Sequence, residues 1–128
     1  MMSWVWLDPD ILLAVHDEQL QEHGGPVGVK DRGLFESALA RAQNLASYEK
    51  PDVAALAAAY GFGLAKNHAF IDGNKRIALI ALELFLDQNG YELAVDDGQA
   101  VLAILSVASG AFSETGLAEW IRKNLKPL

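Results

Sequence analysis

Apolar residues recur at helical spacing along most of the chain, with little of the alternation that is typical of strands. The pattern predicts a first helix that begins at Asp8-Pro9 and ends at Gly24-Gly25, where an N-cap residue with proline and a pair of glycines mark its two ends. A turn-rich link over residues 24–30 follows. Asp31 is placed to cap a second helix, whose buried stripe fades near Asn44.

Two strongly apolar helices are predicted on either side of a short polar segment. Pro51-Asp52 opens the third helix, Val53 to about Lys66, which contains eight alanines and glycines and so allows close approach of neighbouring backbones. Asp72 is predicted to cap a fourth helix that ends at Asn89-Gly90. That helix is apolar on almost every side over residues 77–85, which predicts a central position.

The remainder of the chain predicts one short extended piece and two further helices. Tyr91 to Val95 reads as extended, Asp96 or Asp97 can cap a fifth helix, and Ser113 can cap the last. Neither an internal repeat nor a long linker divides the sequence. We therefore expect an all-α fold, a compact bundle of about six helices with a central buried helix, forming a single domain over residues 1–128.

Composition narrows the class of protein. The 128 residues include no cysteine, which excludes disulfides, a thiolate zinc site and a cysteine nucleophile. The N-terminus lacks the basic region of a secretory signal, and the apolar stretches are too short to span a membrane, so a cytoplasmic location is expected. The net charge of −7 argues against direct binding to nucleic acid.

The charge is distributed unevenly. Residues 66–76 contain three cations, Lys66, Lys75 and Arg76, and one carboxylate, Asp72, so this window carries +2 and the remainder of the chain −9. A small cationic area on an acidic protein is suited to one anionic ligand rather than to a polyanion. Lys66 is a candidate phosphate contact, although a solvated lysine at a helix C-terminus is the favoured interpretation.

The same window combines the groups that phosphate chemistry needs. Gly73 permits close backbone approach, and the first N–H groups of the fourth helix, at residues 73–75, make an anion site together with the helix dipole. Arg76 adds a planar fork that matches phosphate, and Lys75 adds a point charge. On these grounds alone, a phosphate-handling site and a purely structural helix start are about equally supported.

A carboxylate and an imidazole complete the set. Asp72 can ligate Mg²⁺ beside a phosphate, and its alternative role is the helix cap. His68 can act as a general base, since imidazole titrates near neutral pH, and its alternative role is structural. Phe70 is expected to anchor the segment in the core.

The nine residues from His68 to Arg76 read HAFIDGNKR, which resembles the motif H-x-F-x-[D/E]-G-N-x-R of the Fic/Doc family. With Ile-Ala-Leu79 after it, the stretch is similar to the Doc (death-on-curing) toxin branch. The resemblance extends to other short segments along most of the chain. These are His16-Asp17, Gly24-Gly25-Pro26-x-Gly28, Asp31-x-Gly33, Glu36-x-Ala38, Arg41-x-Gln43 and Phe85-Leu86-x-x-Asn89-Gly90.

The resemblance implies an all-helical fold and transfer of a nucleotide-derived phosphate group to a protein hydroxyl. His68 would be the base, Asp72 the ligand of Mg²⁺, and residues 73–75 the anion cradle. Asn74 would hold the loop or a phosphate, and Arg76 would clamp a phosphate. The nucleotide would be ATP or another nucleoside triphosphate.

Two positions indicate the Doc branch. Members that transfer AMP have Gly where Lys75 stands and a second Arg where Leu79 stands. The resemblance therefore implies a protein kinase that moves the γ-phosphate to a threonine or serine, with elongation factor Tu as the target, growth arrest as the outcome and a Phd-like antitoxin as the partner. Exposed apolar surface is then expected beside the motif. AMP or other nucleotidyl transfer and an inactive binding module of an antitoxin complex remain as alternatives.

Two weaker features concern the histidines of the first helix and the link that follows it. His16 and His23 lie seven residues apart on the first helix, about 10 Å along its axis, which is too far for them to share one metal ion unaided. The link over residues 24–30 is either a flap over the site or a plain loop.

Overall fold

Six helices and two short strands make up the part of the chain that the computed structural model describes, residues 3–26 and 28–128. The all-α prediction is therefore confirmed. The helices are α1 (Pro9–His23), α2 (Arg32–Tyr48), α3 (Val53–Asn67), α4 (Asn74–Gln88), α5 (Asp97–Ala108) and α6 (Glu114–Lys123). The strands, β1 (Tyr91–Leu93) and β2 (Leu125–Pro127), pair in antiparallel orientation.

The centre of the bundle is α3 rather than α4. Eleven of the fifteen residues of α3 are buried, against six of fifteen in α4. The alanines and glycines of α3 explain this, because small side chains let α2, α4, α5 and α6 all pack against it. An ideal Cβ on Gly61 would lie 2.8 Å from the Leu82 side chain of α4, so this close approach requires glycine.

The predicted N-caps start five of the six helices. Asp8, Asp31, Asp52, Asp96 and Ser113 each accept a hydrogen bond from a backbone N–H two or three residues further along. Between the two candidates for α5, Asp96 is the cap. The end predicted for α2 near Asn44 is wrong, because that helix continues to Tyr48.

The segment just before α1 packs against the C-terminal end of α4. Trp6 stacks on Phe85 with ring centroids 6.0 Å apart, and the Asn89 side chain bonds to both the N–H and the oxygen of Val5. The extended piece expected after α4 is β1, and its partner β2 was not predicted.

Within the described residues, none of the helices combines the length and the apolar character that crossing a bilayer requires.

Asp52 both caps the central helix and ties it to α6. Its Oδ1 accepts the N–H of Ala55, and its carboxylate forms a two-pronged pair with the Arg122 guanidinium at 2.6 and 2.9 Å. The hydrogen bond from Arg122 holds the pKa of Asp52 below its ordinary value, and the bond from Ala55 contributes further. Because the pKa is lowered on folding, the carboxylate stabilises the fold above the ordinary carboxyl range, and this contribution is lost as the pH falls through the lowered pKa.

We expect Asp52→Ala to lower the free energy of unfolding by about 1–2 kcal/mol at neutral pH, most of it from loss of the cap. The half-exposed ion pair adds at most about 1 kcal/mol. Asp52→Asn keeps a side-chain oxygen that can cap the helix, so we expect a smaller loss of stability than for Asp52→Ala. That smaller loss measures the contribution of the charge alone. Denaturant unfolding at several pH values measures both effects, and a loss for Asp52→Asn that does not shrink in acid would contradict the role of the charge.

Candidate active site

The segment between α3 and α4 carries the predicted motif. His68 follows the last turn of α3 in the left-handed region (φ 51°, ψ 48°), and it is the one non-glycine residue with a positive φ in the described part of the chain. This conformation turns the chain sharply away from the helix axis. The His68 side chain is exposed, so its ring is accessible to a ligand.

Phe70 and Asn74 hold the segment in one shape. Phe70 is 2% exposed and packs between the rings of His16 and Phe35, at centroid distances of 3.8 and 5.3 Å. The Asn74 amide accepts from the N–H of Phe70 at 3.0 Å and donates to its oxygen at 2.9 Å. Of the two roles considered for Asn74, the structure thus engages its side chain in holding the loop, and its main-chain N–H is the part that can face an anion.

The start of α4 differs from the prediction. Asp72 is not its N-cap, because Gly73 takes that position with φ 78° and no side-chain cap bond. The Asp72 Oδ1 instead accepts the N–H of Gly73 at 2.7 Å. The first helical bond of α4 runs from Ile77 to Gly73, so the N–H groups that precede it and can bind an anion are those of residues 74–76. This set begins one residue later than the predicted 73–75, because the N–H of Gly73 already donates to Asp72.

An open pocket of about 220 Å³ lies over this helix start. It brings His68, Asp72 and Arg76 together, with Lys75 on the same rim. The residues that line it are His68, Ile71, Asp72, Gly73, Asn74, Lys75 and Arg76. Lys66 is exposed in the last turn of α3 and is not among them. Cations, helix N–H groups, one carboxylate and one imidazole therefore share a single pocket.

The donor set suits Mg²⁺ only in company with phosphate. No three histidine or acidic side chains in the described residues are close enough to enclose an ion. Asp72 presents one exposed carboxylate at the pocket, and Mg²⁺ commonly takes one or two protein carboxylates and completes its shell with phosphate oxygens and water. The residues therefore fit an ion that arrives with a nucleotide.

Both α1 and the link that follows it contact this turn, and the contact from α1 was not predicted from the sequence. The His16 Nε2 lies 2.8 Å from the main-chain oxygen of Asp72, and an ideal Cβ on Gly25 would lie 2.5 Å from the Asp72 Oδ2. One signal was present in the sequence. His16 lies on the stripe of Leu12 and Leu20, at i+4 from one and i−4 from the other, which predicts a buried position.

The link after α1 pairs with the motif segment. Val29 and Phe70 form an isolated antiparallel bridge, the N–H of Lys30 donates to Ala69, and the N–H of Ile71 donates to Gly28. Residue 27 lies outside the described residues. The link is therefore attached to the motif segment by one bridge and neighbouring backbone hydrogen bonds. That it acts as a flap over the pocket stays a prediction.

An apolar groove of about 320 Å³ lies on the other side of Lys75 and Arg76. Its remaining lining residues come from α4 and α5, and they are Leu79, Val101, Ile104 and Leu105. On α5, Val101, Leu102 and Leu105 are 45%, 63% and 42% exposed. Exposed apolar surface is thus present beside the motif, as expected.

The chain is similar to known proteins over most of its length. Residues 6–86 match the family model described as Fic/DOC family. The chain is 32% identical over 118 residues to "Protein kinase doc" of Escherichia phage P1, covering 91% of this chain and 93% of that protein. It is also 44% identical over 77 residues to "Toxin Doc" of Mycolicibacterium smegmatis, covering 57% and 58%.

Proposed function

The chain belongs to the Fic/Doc family, and from this premise we propose that it is a Doc-like toxin, a protein kinase that transfers the γ-phosphate of a nucleoside triphosphate to a threonine or serine hydroxyl. The observation that carries the proposal is the single pocket shared by His68, Asp72 and Arg76 over the start of α4. Phosphoryl transfer requires positioning and charge stabilisation more than covalent chemistry from the protein, so a pocket of this size is sufficient.

In the proposed reaction each group has a distinct task. A ring nitrogen of His68 takes the proton of the acceptor hydroxyl as its oxygen forms a bond to the γ-phosphorus. The bond between the γ-phosphorus and the bridging oxygen breaks, and the nucleoside diphosphate leaves with that electron pair. Arg76 and the N–H groups of residues 74–76 bind the phosphate oxygens. Asp72 would hold Mg²⁺, which neutralises phosphate charge when bound.

The surroundings of the pocket support γ-transfer over AMP transfer. Lys75 is exposed on the rim, where its ammonium adds charge and narrows the opening. Leu79, at the place of the second arginine of AMP-transferring members, lines the apolar groove with Ile104 and Leu105. A guanidinium is thus missing from the position that would help to present the α-phosphorus.

Two partners follow from the proposal. Elongation factor Tu is the proposed acceptor, with arrest of growth as the outcome, in keeping with a relative named a toxin. A Phd-like antitoxin is the proposed inhibitor. The groove beside Lys75 and Arg76 offers apolar surface and two cations to such a chain, and a segment seated there would lie next to the pocket.

Transfer of labelled phosphate tests the proposal. The protein is incubated with Mg²⁺, purified elongation factor Tu or bacterial extract, and ATP labelled on either the α or the γ phosphorus, with His68→Ala as the matched control. We expect label to move only from the γ position and only with His68 present. Transfer from the α position would indicate nucleotidyl transfer instead, and no His68-dependent transfer to either acceptor preparation would indicate an inactive binding module.

A further inference from the structure

We propose that His16 is a positioning residue that holds the Asp72-Gly73 turn, and with it the carboxylate at the pocket, in place. The His16 Nε2 lies 2.8 Å from the main-chain oxygen of Asp72, a residue 56 positions away in the sequence. The bond joins α1 directly to the segment that precedes α4. The part of this inference that concerns Mg²⁺ rests on the proposed function.

The surroundings of His16 fix both its ring and its tautomer. A carbonyl oxygen only accepts hydrogen bonds, so the Nε2 must carry a proton. The residue is 2% exposed and its ring stacks on Phe70 at a centroid distance of 3.8 Å and an interplanar angle of 26°. Of the three histidines it is the one that is buried, since His23 and His68 are both exposed. A polar group is usually buried in this way only with a partner, and here that partner is Asp72.

Further contacts place the turn against α1 and its C-terminal glycines. An ideal Cβ on Gly73 would lie 3.3 Å from the His16 Nε2 and 3.5 Å from the Leu20 side chain. Gly25 faces the carboxylate itself, since its Cβ would lie 2.5 Å from the Asp72 Oδ2. Both the main chain and the side chain of Asp72 are therefore bounded by α1 and the residues that follow it.

This arrangement makes the position of the carboxylate depend on a helix outside the motif. The side chain of Asp72 is exposed and its Oδ1 bonds only to the next residue, so the local segment alone does not fix it against α4. His16 adds a bond from the protein interior. Groups that orient a metal ligand in this way sustain affinity without touching the ion.

Two nearly isosteric substitutions test the role of the bond. His16→Gln keeps an N–H donor near the Nε2 position, and His16→Met has similar length without a donor. We expect His16→Met to speed hydrogen exchange over residues 69–77 and to weaken binding of Mn²⁺ in the presence of ATP by about 10–100-fold, measured by electron paramagnetic resonance. In His16→Gln, the exchange rate and the Mn²⁺ affinity should stay close to those of the unsubstituted protein. His23→Met, at an exposed position of the same helix, should change neither quantity.

Nitrogen-resolved NMR of the His16 ring needs no substitution and should find the proton on Nε2. A proton confined to Nδ1 would overturn the inference, as would unchanged exchange in His16→Met, or equal losses in His16→Met and His16→Gln. If His16→Met does not fold, the position of the ring proton alone decides whether the inference stands. If the unsubstituted protein does not bind Mn²⁺ with ATP, the proposed function fails, while exchange and tautomer still decide whether His16 holds the turn.

Discussion

Replacing His68 by alanine is expected to lower the rate of phosphate transfer by about 10²–10⁴-fold, the contribution that a positioned general base makes. The base acts on the acceptor proton only as the new bond forms, so kcat and kcat/KM should fall together while KM for the nucleotide is unchanged. The imidazole is exposed at the pocket and no core packing depends on it, so the thermal unfolding midpoint should change little. Steady-state kinetics with both substrates varied separates the effect on kcat from the effect on KM.

A second variant is needed because the backbone of His68 is in the left-handed conformation. Its left-handed conformation is tolerated better by asparagine than by alanine, so His68→Asn removes the base with less strain. Equal loss of transfer in both variants, with unfolding midpoints near that of the unsubstituted protein, attributes the loss to the missing base. Transfer that survives in both would show that another group, or water, takes the proton.

Local sequence rules predicted most of the helices because each start is decided by neighbouring residues. The aspartate and serine caps bond within their own first turn, so the chain around Asp31 or Ser113 contains all the information needed. The end of α2 was missed because it depends on distant packing. Leu45 and Ala46 are partly buried against the core, which extends the helix past the point where its own stripe fades.

The start of α4 shows how two local rules can compete. Both Asp72 and Gly73 can precede a helix, and the sequence favoured the aspartate as cap. Gly73 adopts a positive φ without strain, so the turn closes one residue later and the Asp72 carboxylate bonds to the N–H of Gly73 instead. As a result the carboxylate lies at the pocket, where a cap would have turned it onto the helix.

The components of the pocket were predictable, but its support was not. His68, Asp72 and Arg76 lie within nine residues, and a sharp turn before a helix brings them to one opening. His16 reaches this turn only because α1 packs against α4, and spacing within one helix says nothing about that contact. The strand β2 was missed for the same reason, since its pairing with β1 joins distant parts of the chain and ends at Pro127, a residue confined to sheet edges.

Replacing Asp72 by asparagine is expected to lower Mg²⁺-dependent transfer by at least about 100-fold, because even the loss of groups that only orient a metal ligand costs about 10–100-fold. The asparagine oxygen can still accept the N–H of Gly73, so the turn should persist and the loss should report the missing charge. Transfer measured over a range of Mg²⁺ concentrations, together with thermal unfolding, separates loss of the charge from loss of the turn. Unchanged Mg²⁺ dependence in a folded variant would leave Asp72 with a structural role alone.

Displacing the carboxylate rather than removing it gives a finer test. Gly24 and Gly25 both have positive φ, 79° and 120°, so alanine at either position is strained. A Cβ on Gly24 would meet nothing within 4 Å, whereas one on Gly25 would lie 2.5 Å from the Asp72 Oδ2. Gly25→Ala should therefore raise the half-saturating Mg²⁺ concentration about tenfold, as loss of an orienting contact does, and Gly24→Ala should not. Equal effects of the two substitutions would mean that loop strain, and not the position of the carboxylate, governs the response to Mg²⁺.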